Sequence, residues 1–164
     1  MAKDRKVQGA GFQLIISSGS VSEKVQAAIL DGLRDVTSNY KKQVIKNISL
    51  TDHDLKDLRE LGYPYARGKP EDFPHDDRMV HIQEGVLKRG IQSNPPEQIT
   101  RSRFEVFITS SAPETPFLLY GTKTMRPRRF HQKAYEEIKE RFWEPIISRL
   151  KKVEHRISSV IRNK

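Results

Sequence analysis

The chain has 164 residues and 35% hydrophobic content, the size of one domain with a modest core. Its formal charge of +9, with 31% charged residues, admits nucleic acid as a partner and makes copies repel unless acidic patches face basic ones. The absence of cysteine excludes a disulfide framework, a thiolate nucleophile and a sulfur-built zinc site, and the longest apolar runs, Leu14-Ile15-Ile16 and Phe117-Leu118-Leu119-Tyr120, fall far short of the ~20 residues of a membrane helix. No membrane partner is therefore expected. Met1–Lys6 is basic but lacks the apolar stretch and cleavage site of a signal peptide, so synthesis in the cytosol is the expectation.

Residues 11–17 place Phe12, Leu14 and Ile16 on one face of an extended segment, and Ser-Gly-Ser punctuates it, which predicts a strand. Ser20 stands three residues before Glu23, the spacing of a reciprocal helix cap. Behind it Val25, Ile29, Leu33, Val36, Tyr40 and Val44 recur at steps of three and four, one apolar stripe on a helix of about seven turns. Gly32 inside that helix weakens it by roughly 1 kcal/mol relative to alanine and marks a close approach by another backbone.

Thr51 and Asp54 repeat the capping pattern, and Leu55, Leu58 and Leu61 before Gly62 predict a short helix over 52–61. From Tyr63 to Asp77 three prolines, one glycine and many charges show no periodicity, and the expectation is a long irregular loop or arm. Val80, Ile82, Val86, Leu87 and Ile91, around Gly85 and Gly90, suit a helical turn leading into a strand at 88–94. Asn94-Pro95-Pro96 then predicts a turn, and 99–109 alternates with Phe104, Val106 and Ile108 on one face, which together make a β-hairpin. Ala134, Ile138, Phe142, Ile146, Leu150, Val153, Ile157 and Val160 step along a C-terminal helix interrupted or restarted at Pro145.

Little in the sequence carries catalytic chemistry. His75, Asp76, Asp77 and His81 gather the ligand types of an oxygen- and nitrogen-loving metal, but without a recognised metal spacing, and a charged loop between prolines is usually solvated. No Gly-x-Ser-x-Gly elbow, phosphate loop or nucleotide fingerprint is present, so neither an enzyme nor a cofactor is expected. Glu136, Glu137, Glu140 and Glu144 alternate with Lys133, Lys139 and Arg141 at spacings that pair charges along a solvated helix face. Lys123, Arg126, Arg128 and Arg129 put four cations in seven residues directly after an apolar segment. Such groups suit phosphate, and equally suit carboxylates on a neighbouring subunit.

The stretch from Phe117 to Phe130, Phe-Leu-Leu-Tyr-Gly-Thr-Lys-Thr-Met-Arg-Pro-Arg-Arg-Phe, followed by a helix, resembles the signature of the neck and tail-completion (head–tail connector) family of tailed bacteriophages. There an aromatic and apolar turn leads to Gly-Thr, then a link with Met and Pro-x-x-Phe, then the last helix. Tyr120, Gly121, Thr122, Met125, Pro127 and Phe130 fall on that pattern, and the order of the other parts agrees over roughly residues 22–150. The sequence departs from it in carrying Glu84-Gly85-Val86-Leu87 where a Thr-Gly-Arg-Leu turn is usual, and in adding residues 151–164 and the extended 63–79 segment. In this pattern Gly121 would take positive φ, Pro127 would stiffen the link and Phe130 would anchor the last helix to the sheet.

The expected fold is α+β: a small antiparallel sheet from 11–17, 88–94 and 99–109, packed by a long N-terminal helix and a C-terminal helix, with the long irregular middle loop. Residues 1–150 are expected to form one domain and 151–164 a C-terminal helical extension. The resemblance implies a structural virion protein, made in the host bacterial cytoplasm. It would form a homo-oligomeric ring, sixfold by expectation, between head and tail, touching the head-side connector and the tail terminator or tube. Genome DNA would pass non-specifically through its channel. The alternative is a basic DNA-binding or metal-dependent DNA-processing protein that would use the His75–His81 loop.

Overall fold

The computed structural model describes residues 7–15, 22–49, 78, 80 and 85–162, with side chains over 22–49, 78, 80 and 85–154. The predicted 52–61 helix, the Tyr63–Asp77 loop and the His75–His81 cluster lie outside the described residues. So do Ile16 and Ser17 of the first predicted strand.

The elements run β1 (Val7–Ile15), α1 (Glu23–Asn47), α2 (Val86–Gly90), β2 (Ile91–Ser93), β3 (Glu97–Thr100), β4 (Arg103–Ser110), α3 (Thr115–Tyr120), α4 (Phe130–Ile138), a 3-10 turn (Lys139–Arg141) and α5 (Glu144–Arg162). They form the expected α+β architecture, a long first helix packed with a small antiparallel sheet and the C-terminal helices. β4 is the central strand. β1 pairs antiparallel along its whole length, with Phe12 opposite Val106 and Leu14 opposite Phe104, while β2 and then β3 pair along the other edge.

The period of two seen in the sequence is realised in β4, where Phe104, Val106 and Ile108 are completely buried. Its boundaries differ from the prediction. Residues 99–100 belong to β3, and 88–90 belong to a turn of helix, so the strand expected over 88–94 shortens to Ile91–Ser93. The chain also does not reverse at Asn94-Pro95-Pro96. Asn94 N–H still donates to the Phe107 carbonyl at 2.9 Å, and the prolines, which have no N–H to give, only interrupt the ladder. Between the Ser93–Ile108 and Glu97–Glu105 pairs, four steps on this edge oppose three on β4, a slip of one residue. The reversal falls instead at Arg101-Ser102.

α1 carries the apolar stripe as read: Ile29, Leu33, Val36, Tyr40 and Val44 are each at most 1% exposed. Burial of such side chains contributes about 1.5–3 kcal/mol apiece, which is why this helix organises the domain. Its start differs from the predicted cap. The N-cap is Ser22, whose side chain makes no capping hydrogen bond, and Ser20 lies outside the described residues. Glu23 in the first turn still faces the positive end of the helix dipole.

The C-terminal periodicity divides as expected, into α4 and α5 separated by the 3-10 turn. Pro145 sits in the first turn of α5, where its missing N–H costs nothing. α5 packs chiefly along α1, and α4 packs on α1 as well. The crossing is tightest at Gly32, where a Cβ would come within 2.8 Å of the Ile146 Cα, so the close approach anticipated there is real. Beside it the Arg149 guanidinium holds the Asp35 carboxylate through Nε at 2.8 Å and Nη2 at 2.6 Å.

Candidate functional site

The predicted site residues fall on the link between α3 and α4. Thr115 opens α3 fully buried, with its hydroxyl 2.6 Å from that of Ser110 at the end of β4, so the sheet fixes where α3 begins. Leu118 and Leu119 pack against the core. With those positions turned inward, Phe117 and Tyr120, three residues apart on a helix, face outward at 56% and 72% exposure.

Gly121 then takes φ 72° with ψ −177°, the positive φ expected of it and a backbone region open essentially to glycine alone. A Cβ there would stand 2.7 Å from the Met125 carbonyl oxygen and 2.9 Å from the Pro127 nitrogen, so the backbone folds back directly over this glycine. Thr122 closes the fold from both sides. Its N–H donates to the Met125 carbonyl, and its hydroxyl accepts from the N–H groups of Thr124 and Met125. Arg128 N–H donates to the Leu118 carbonyl, which ties the far end of the link to α3. Phe130 opens α4 completely buried and joins the core formed by α1 and the sheet, the anchoring role expected of it.

The four cations do not act as one group. Lys123 and Arg129 are exposed and Arg126 is half-buried, but Arg128 is 2% exposed. Arg128 is thus removed from the set that could meet DNA or a neighbour. Its main chain is tied to α3 and the next side chain but one is a buried phenylalanine, which places its own side chain in the interior. A run of basic letters cannot reveal this, because burial there is set by the turn.

Two features escaped the sequence reading. The first is a buried pair: Tyr40 Oη donates to the His131 carbonyl at 3.0 Å and lies 3.1 Å from His131 Nδ1. With the hydroxyl proton on the carbonyl, Nδ1 carries the ring proton and Nε2 is the bare nitrogen, buried and without a hydrogen-bond partner among the described residues. Burial raises the Tyr40 pKa and pushes His131 down to about 4.

The second is Glu137, read as part of a solvated face. It is exposed and pairs with Lys133 at 3.1 Å as the spacing predicts, but its carboxylate also accepts from Gln43 at 2.6 Å and Asn47 at 3.0 Å on α1. Desolvation pushes its pKa up, but the bonds from Asn47, Lys133 and Gln43 outweigh that and hold it below the usual carboxylate range. Glu137 also lines an open groove of about 590 Å³ with Asn39, Lys42, Gln43, Glu140 and Arg141 among others, charges of both signs. Glu136 behaves more nearly as read, exposed and bonded to Arg78 and Gln132.

Among the described residues no group of three histidines or carboxylates is placed to hold a metal ion, and no helix is long and apolar enough to cross a membrane. No protein-family model, curated protein or solved structure matches the chain.

Proposed function

We propose that this protein is a structural component of a tailed-bacteriophage neck, a tail-completion ring that joins the DNA-filled head to the tail. The observation that carries the reading is the link from Tyr120 to Phe130. Four of the six residues that resemble the family pattern have a mechanical part there: Gly121 turns at positive φ, Thr122 and Met125 close the turn, and Phe130 pins the last helix into the core. The link presents aromatic and basic side chains at a fixed place on the surface rather than enclosing a reactive cleft.

In this reading function is interface geometry, with copies closing into a ring, six by the family resemblance, and DNA passing through the centre. The ring would be part of the virion and would be assembled in the host cytoplasm. Lys123, Arg126 and Arg129 are its candidate contact cations, Arg128 being buried. The test is native mass spectrometry and negative-stain microscopy of the full chain, alone and with assembled particles. Closed rings, or one ring's complement of copies per neck, are expected. A chain that stays monomeric, is missing from particles and cuts or sequesters DNA as a free subunit would replace this reading with the DNA-processing one.

A further inference from the structure

Two exposed surfaces carry aromatic side chains beside charges with no ion-pair partner among the described residues. One is the α3 face, where Phe117 and Tyr120 stand next to Lys123, Arg126 and Arg129. The other is the outer ledge of α5. There Trp143 and Ile147, 39% and 49% exposed, are four residues apart on one helix face, with exposed Glu144 and Glu154 at its ends and Lys151 between. α5 packs chiefly on α1, and α4, a helix about 13 Å long, stands between the α3 link and the start of α5.

We propose that the α3 face of one copy docks head-to-tail on the α5 ledge of a second copy, Phe117 and Tyr120 against Trp143 and Ile147, with Glu144 and Glu154 facing the cations. The proposal rests on the ring reading and names the joint that would close it. Charge selects the occupant. A chain of net charge +9 associates with itself only where a basic surface meets an acidic one. Exposed aromatics beside arginine are also the composition of protein interfaces, whereas phosphate offers an exposed phenylalanine nothing. Two different surfaces in contact make a heterologous joint, and such joints close into rings when the rotation between copies allows.

The experiment uses two surface variants of the full chain, Tyr120→Ser with Arg129→Ser on one face and Glu144→Ser with Ile147→Ser on the other. All four positions are exposed, so both variants should melt as wild type does. Each alone should lose assembled species by about tenfold or more in native mass spectrometry. An equal mixture should recover one joint per pair and so give heterodimers and nothing larger. Wild-type assembly in either variant overturns the proposal while leaving the ring reading intact, as does intact assembly with weakened DNA binding in the α3 variant. A wild-type chain that never assembles, alone or in particles, overturns both.

Discussion

Acidification should destabilise this protein through His131. The ring is 7% exposed, its Nε2 has no hydrogen-bond partner among the described residues, and burial holds its pKa at about 4 against about 6.5 in an unfolded chain. Between those values the unfolded state binds a proton that the folded state refuses, so stability is complete above about pH 6.5 and falls as pH drops toward 4. The full difference corresponds to about 3 kcal/mol, and about 2 kcal/mol of it is lost between pH 7 and pH 5. That is a large part of the 5–15 kcal/mol typical of a domain. The single tryptophan, Trp143, packs edge-on against Phe142 at 4.8 Å, and its fluorescence should report urea unfolding. With a slope of roughly 2 kcal/mol per molar urea, the midpoint should move down by about 1 M between pH 7 and pH 5.

The control is His131→Phe, which keeps a ring against Phe130 and Tyr40 and removes the titrating nitrogen. It should start somewhat less stable, having lost the bond to Tyr40, but show a much flatter dependence over the same window. Glu136 and Glu137, both held below the usual carboxylate range, lose their contribution only at more acid pH and stay out of the comparison. Parallel decline of wild type and variant would place the acid sensitivity at another histidine and refute the reasoning.

Gly32→Ala should destabilise by about 1–3 kcal/mol in urea melts: the Cβ meets the Ile146 backbone at 2.8 Å, and that clash exceeds the roughly 1 kcal/mol of helix propensity gained. Gly121→Ala should cost about 2 kcal/mol, through φ 72° and the contact with the Met125 carbonyl; an unchanged midpoint would mean that the turn relaxes freely. Arg128→Gln and Arg129→Gln should separate two neighbours that look alike in sequence. The first should lower stability by about 1–3 kcal/mol, and the second should leave it within about 0.5 kcal/mol while weakening assembly.

Much of the fold was legible because periodicity is a local property. The α1 stripe from Ile29 to Val44, the alternation of Phe104, Val106 and Ile108, and the restart at Pro145 all report which side of an element must leave water, and the elements formed there. The positive φ of Gly121 and the crowding at Gly32 were legible for a similar reason, since glycine is costly in such places unless space or backbone angle demands it. What only the tertiary structure decided is how elements meet. The prolines at 95 and 96 read as a reversal, yet β2 and β3 continue along one edge, because whether a missing N–H ends a strand or merely skips a rung depends on the strand beside it. The cations of the Lys123–Arg129 run share one charge pattern, but the fold of the link buries Arg128 and leaves Lys123 and Arg129 in water. Tyr40 and His131, and Asn47 and Glu137, lie about ninety residues apart in the chain. No spacing rule connects them, because their contact exists only once α4 is laid on α1.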